Sequence, residues 1–552
     1  MKKSTYLAGA IVAVSIAMSA ATRSDKAELS RNLDIFSSVV KNLQTEYVDT
    51  IDANKTIRTA IDMMLMELDP YTEYIPEDEQ EAFRSISTGE YGGIGSYIMR
   101  RKDNNVYISD PYDNSPARKA GLRAGDLIIA IDGDTVLGWT TDKVSNRLRG
   151  QSGTTVNLLI KRPYVEDSIK TISVEREKIA IHPVPYYGVI HDSIGYIDVT
   201  TFSDKTYPEV KAALLDLKSN PKVNTIMLDL RSNGGGVLDG AVDLVSLFVP
   251  KGTEVLRTRG KGQVNERVYK TTNKPVDVDI PLVVLVNSGS ASASEIVAGS
   301  LQDLDRAVIV GRRSFGKGLV QSSRPLPYNG LLKVTIAKYY IPSGRLIQAI
   351  DYSHRNEDGS VGRIPDSLTH EFKTNAGRIV RDGGGIKPDV EVELPDGSRL
   401  LYNIMADNWA FDYANKYSAT HDSIAPATDF EVTDEMFEDF KAFIDPEQFN
   451  YDKVCDTMLD DLEKVAKTEG YLNDETKAQI EVLRGLMKHN LGDDLDNNRK
   501  EVSEVLAAEI ISRYYGDRGE VIQSLKHDYD VEAALKMLNT PGEYKRLLSP
   551  QK

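Results

Sequence analysis

Between about residues 180 and 400 the chain alternates short apolar runs with stretches of helical character, and few folds accommodate that alternation. Residues 225–230, 281–286 and 307–310 read as buried strands, and residues 237–248 and 294–304 as the helices that follow the first two. Strands separated by helices in this way predict an α/β core.

The flanking segments differ in character. Residues 25–85 read as helical, with Leu29, Leu33, Phe36, Val39, Val40 and Leu43 at three-and-four spacing, and Ile57, Ile61, Met64 and Leu65 repeating it until Asp69-Pro70-Tyr71-Thr72 breaks the pattern. Residues 89–177 carry short strand signals and glycine turns: Val156, Leu158 and Ile160 alternate, and the run 127–131 closes on Asp132-Gly133. Residues 425–552 form a helical, acidic C-terminal extension with apolar positions at Phe437, Phe440, Phe443, Leu459, Leu462 and Val465. At the start, Lys2 and Lys3 precede an apolar run from Leu7 to Met18 and the small residues Ser19, Ala20 and Ala21. That layout predicts a secretory signal over 1–22, and the run is shorter than the ~20 residues that span a bilayer. An exported, periplasmic protein is expected, with an uncleaved signal anchor as the alternative.

The formal net charge of -16 argues against nucleic acid as a partner. Cys455 is the one cysteine, so no intramolecular disulfide forms. The histidines (182, 191, 354, 370, 421, 489 and 527) are scattered, and His370-Glu371 continues Phe-Lys-Thr, so no zinc motif is present. No metal or other cofactor is expected.

Three segments carry chemistry. Asn287-Ser-Gly-Ser-Ala-Ser-Ala-Ser-Glu295 is a small-residue loop between an apolar strand and an apolar helix. Such a loop lets a serine approach a substrate carbonyl and leaves helix-start N–H groups to hold an oxyanion. Serines also cap helices, so on the loop alone a cap is the favoured reading. In Gly311-Arg-Arg-Ser-Phe-Gly-Lys-Gly318, Lys317 stands between two glycines that permit close packing. A lysine that serves as general base must be neutral, which burial promotes by disfavouring the ammonium form. Gln321 follows as an uncharged group able to orient an amine. In Leu228-Asp-Leu-Arg-Ser-Asn-Gly-Gly-Gly236 the glycines after a strand form a nest of N–H groups. A nest suits a phosphate or an oxyanion; without a Walker lysine-serine pair the oxyanion is favoured.

Together these segments resemble the carboxyl-terminal processing, or tail-specific, peptidases. The matching motifs are Ser-Ala-Ser-Ala-Ser-Glu at 290–295, Ser-Phe-Gly-Lys-Gly at 314–318 and Asp-Leu-Arg-x-Asn-x-Gly-Gly at 229–236. The resemblance implies a crotonase-like α/β core over 180–400 with an inserted PDZ domain at 89–177. It also implies Ser292 as nucleophile, Lys317 as base, Gln321 as its orienting partner, and an oxyanion hole from Ala293 with Gly235 or Gly236. Gly234 stands where the family often has proline. Gly93, Ile94, Gly95 and Ser96 would be the PDZ loop that captures a chain terminus. Arg149 is a candidate contact between that domain and the core, although a solvated arginine is the favoured reading. Tyr340-Ile-Pro-Ser-Gly344 and Gly383-Gly-Gly-Ile-Lys-Pro-Asp389 also resemble late core elements of the family. The expected partners are proteins or peptides with free C-termini, and the helical regions leave room for a homodimer or an adaptor. Two rivals differ in kind: a silent PDZ scaffold that gathers peptides, and a hydrolase that uses a histidine such as His191.

Overall fold

The computed structural model describes residues 27–550 except 262–265, 357–359, 396, 450–453 and 488–489. The expected signal at 1–22 lies outside the described residues. Two compact units emerge: Met1–Gln80 with Gln321–Ile336, and Glu81–Val320 with Ala337–Lys552.

In the smaller unit, residues 27–46 and Ala53–Met66 are helical. Asp52 caps the second helix by accepting from the Lys55 N–H. The Asp69 carboxylate then takes the N–H groups of Tyr71 and Thr72, both at 2.8 Å, which closes the turn that ends the helical stretch. Strand Glu73–Ile75 follows and pairs antiparallel with residues 331–333.

The larger unit is built on a six-stranded sheet in the spatial order Tyr187–Ile190, Ile194–Asp198, Thr225–Asp229, Leu282–Val286, Val308–Gly311, Val390–Glu391. The first pair is antiparallel and every other pair is parallel. Successive side chains point to opposite faces. Leu228, Val284 and Val286 pack with Leu214, Leu244 and Val297 of helices Thr206–Ser219, Leu238–Val245 and Ala293–Asp303. Met227, Val283 and Leu285 pack with Leu525, Val531, Ala534 and Met537 from the end of the chain. Covered on both faces, the central strands are apolar at nearly every position.

Residues 96–175 form an antiparallel sheet of strands Ser96–Arg100, Val106–Pro111, Leu127–Ile131, Thr155–Lys161 and Ile169–Glu175 around their own core. Its entry and exit are joined, because Glu90–Gly93 pairs antiparallel with Glu177–Ala180. The C-terminal helices begin at Arg399, ahead of the expected 425. Ile404 and Tyr413 there share a core with Phe437, Phe440, Leu506 and Ile510. The long helix Arg499–Ser524 kinks at Gly516, where φ is 58° and an added Cβ would lie 2.8 Å from Asp113 Oδ1.

Candidate active site

Three loops leave the carboxyl ends of three neighbouring parallel strands, the end at which open α/β sheets bind ligands. The glycine loop follows Thr225–Asp229, the serine loop follows Leu282–Val286, and the lysine loop follows Val308–Gly311. His191 sits exposed in the turn that enters strand Ile194–Asp198, at the opposite, amino end of the parallel strands.

The serines of the loop have different duties. Ser290 is fully buried; its hydroxyl donates to Leu230 O at 2.7 Å and accepts the Asn287 N–H at 2.9 Å. Ser294 is equally buried and donates to Asn233 O at 2.8 Å. These two hydroxyls stitch the serine loop to the glycine loop, as does the Ala291 N–H on Asn233 O at 3.0 Å. Ser288 is exposed in the turn that follows the strand. Ser292 is half-buried at the start of helix Ala293–Asp303, with φ 56° and ψ -111°, a strained conformation for a residue with a side chain. Its hydroxyl oxygen faces the Glu295 N–H in a capping box but among the described residues donates to no acceptor, and the Ala293 N–H behind it opens the helix without an acceptor.

The glycine loop packs against this serine. Gly235 has φ 100°, and a Cβ there would lie 2.8 Å from both Ala291 O and Ser292 Cβ. At Gly236 a Cβ would meet Phe202 O at 2.0 Å, so only glycine fits. Gly234 faces open space and has no positive φ. The Gly235 N–H already has an acceptor, Asn233 Oδ1 at 2.9 Å.

Glu295, quoted in the serine motif without a role, joins the loops. Its carboxylate is fully buried and accepts four hydrogen bonds: Ser292 N at 2.9 Å, Lys317 N at 2.8 Å, Gly316 N at 2.7 Å and Ser314 Oγ at 2.5 Å. Its place was legible in the spacing Ser-x-x-Glu at a strand-to-helix junction. Tyr339 closes the other side, its hydroxyl 2.7 Å from Lys317 O and 3.2 Å from Ser292 O. Ser292, Ala293, Gly235, Gly236 and the Lys317 backbone are thus brought together. Gln321 belongs to the smaller unit, where its amide donates to Thr335 Oγ1 at 3.1 Å.

Burial pushes the Glu295 carboxyl up to about 7, against four donors that favour the charged form. The native state therefore binds this proton more tightly than the unfolded chain. Between about pH 4.5 and 7 its contribution to stability falls as pH rises, by on the order of 3 kcal/mol. Replacing Glu295 with Gln should make the decline shallower over that window. It should also cost about 2–4 kcal/mol at pH 8, because an amide NH2 then faces two of the four donors. Urea melts across the pH range check both; parallel pH profiles for wild type and variant would contradict the assignment.

The sequence model of peptidase family S41 matches residues 193–353, which contain all three loops. A carboxy-terminal-processing protease of Bartonella bacilliformis is 37% identical over 350 residues, 62% of this chain and 80% of that protein. The chain belongs to peptidase family S41. A probable CtpA-like serine protease of Staphylococcus haemolyticus is 35% identical over 341 residues, 61% of this chain and 66% of that protein. Among solved structures, a photosystem II D1 C-terminal processing protease is 28% identical, covers 65% of this chain and 86% of that one, and has a TM-score of 0.36.

Two further family models match outside the S41 segment. Residues 107–162 match a PDZ domain, and residues 400–538 match the C-terminal helical domain of a probable PDZ-protease. Beside the PDZ segment a cavity of about 310 Å3 is lined by Gly93, Ile94, Gly95 and Ser96 together with Tyr97 and Tyr112. Gly95 has φ 72°, and a Cβ there would lie 2.6 Å from Ser115 Cβ. Burial, with Tyr91 and Tyr97 alongside, pushes the Tyr112 phenol up and keeps it a neutral donor. The Arg149 guanidinium stands over the Tyr91 ring, 5.0 Å from its centre.

Proposed function

We propose that this S41 member is an exported serine endopeptidase that trims proteins near their C-termini. The observation that carries the reading is the division of labour in the serine loop. Ser290 and Ser294 spend their hydroxyls on the glycine loop, while Ser292 keeps its own beside the helix-start N–H and is tied through Glu295 to the lysine loop.

In the proposed reaction the neutral Lys317 amine takes the Ser292 proton as Oγ bonds to the peptide carbonyl carbon. The oxyanion is held by the Ala293 N–H and a glycine N–H of the 234–236 loop. The C–N bond then breaks, and the lysine ammonium returns its proton to the leaving amine. Water, activated by the same amine, resolves the acyl-enzyme. Gln321, four residues after Lys317, orients the amine. The core is proposed to be crotonase-like, and the segment 1–22 to direct export to the periplasm.

The PDZ cavity would take the substrate's terminal carboxylate on the 93–96 loop as the tail adds a strand. Amidating the C-terminus of an unstructured peptide substrate should therefore raise KM at least about 10-fold, the loss expected for charge-assisted hydrogen bonds. Mass spectrometry of matched free-acid and amide peptides reads rate and cleavage site together. Equal KM for the two would remove the carboxylate from the recognition scheme.

A further inference from the structure

We infer that the C-terminal extension supplies a positioning residue to the active site: Asp530 holds the glycine loop and the lysine loop at one spacing across the strand that launches the serine loop. The inference rests on the proposed roles of those loops.

Arg231 and Arg312 occupy matching places. Arg231 lies two residues beyond strand Thr225–Asp229 and two before Asn233. Arg312 directly follows strand Val308–Gly311 and precedes Lys317 by five. Both strands pair with Leu282–Val286, so the arginines flank the root of the serine loop. Asp530 bridges them. Its Oδ1 and Oδ2 take Arg312 Nη1 and Nη2, each at 3.1 Å, and Oδ2 also takes Arg231 Nη1 at 2.9 Å. The residue is only 2% exposed. Neighbouring Asp528 caps helix Tyr529–Asn539 and takes Arg231 Nη1 at 2.8 Å, while Asp229 takes the same arginine's Nε at 3.0 Å.

A carboxylate this buried is stable only when paired. Docking of the last helices through Leu525, Val531, Ala534 and Met537 brings the partner charge to both arginines at once. The extension thereby closes the bracket that Glu295 and Tyr339 begin: those two set the serine loop against the lysine loop, and Asp530 sets the lysine loop against the glycine loop. Asp530 touches no reacting atom and acts through the two arginines.

The test uses the full-length protein with Asp530→Asn, which keeps the shape and removes the charge. We expect kcat to fall about 10- to 100-fold, as for a small misplacement of catalytic groups, with KM changed by no more than about two-fold. Amide exchange should quicken at 231–236 and 312–318 but not within Leu282–Val286. Asp530→Glu should recover most of kcat. An Asn variant with both kcat and loop exchange at wild-type levels overturns the inference. Should Asp530→Asn not fold, Arg312→Gln decides: faster exchange confined to 312–318 supports the bracket, and unchanged exchange overturns it. If the wild type shows no Ser292-dependent cleavage, the proposed function fails, and the exchange measurement still judges Asp530 by itself.

Discussion

Protein carrying Lys317→Ala should fold normally and cleave an unstructured polypeptide more than about 10^4-fold slower than wild type, as removal of one member of a catalytic unit does. Two bonds that hold the lysine loop run through the Lys317 backbone: Lys317 N donates to Glu295, and Lys317 O accepts from Tyr339. Alanine keeps both. The same holds for Ser292→Ala, because the contacts of Ser292 N with Glu295 and of Ser292 O with Tyr339 are made by backbone atoms that alanine keeps. If serine and lysine act as one unit, the double variant is no slower than either single one. Lys317→Arg should be equally inactive, since a guanidinium cannot give up its proton at any working pH. The measurements are turnover by mass spectrometry and a melting curve for each variant. Undiminished turnover in Lys317→Ala would sink the lysine as base. A histidine mechanism gains nothing from His191, which lies at the wrong end of the sheet.

The central strands were legible because the sheet is covered on both faces, so runs such as 281–286 are apolar throughout. The glycine and lysine loops were legible because glycines recur where backbone must approach its neighbours, and Gly235, Gly236 and Gly316 show what that approach requires. Helix formation near the N-terminus was also visible in the spacing of Leu29, Leu33 and Phe36. Periodicity names an apolar face but not its cover, and these residues stand exposed. Contacts between segments left no local trace. Asp528 and Asp530 meet Arg231 from 297 and 299 residues away, so an acidic helical tail without a motif gave no hint that it reaches the catalytic sheet. Tyr339 was hidden for a similar reason, as its hydroxyl meets Ser292 O across 47 residues. Gln321 illustrates the limit of spacing alone: its place after Lys317 is evident, but the hydrogen bond its amide donates to Thr335 depends on a strand formed later in the chain.

The glycine loop permits a second decisive experiment, because its three members differ in the room around them. Gly235→Ala should lower kcat about 10^2- to 10^3-fold, the range seen when an oxyanion donor is lost or reacting groups shift. The added methyl would sit 2.8 Å from Ser292 Cβ and 2.9 Å from Ala293 N, the two residues assigned to attack and oxyanion binding. It cannot turn aside, because φ at this position is 100°. Backbone strain and overpacking together should also cost about 2–5 kcal/mol of stability. Gly236→Ala is expected to be worse for folding, since its methyl would overlap Phe202 O, the atom that anchors the loop through the Val237 N–H at 2.8 Å. Gly234→Ala is the internal control: with open space and an ordinary φ it should stay within about 0.5 kcal/mol of wild type and retain turnover. Kinetics and urea melts on the three variants separate the explanations. Equal tolerance at 234 and 235 would mean that the loop yields freely, and then neither its glycines nor its contact with Ser292 would shape the reaction.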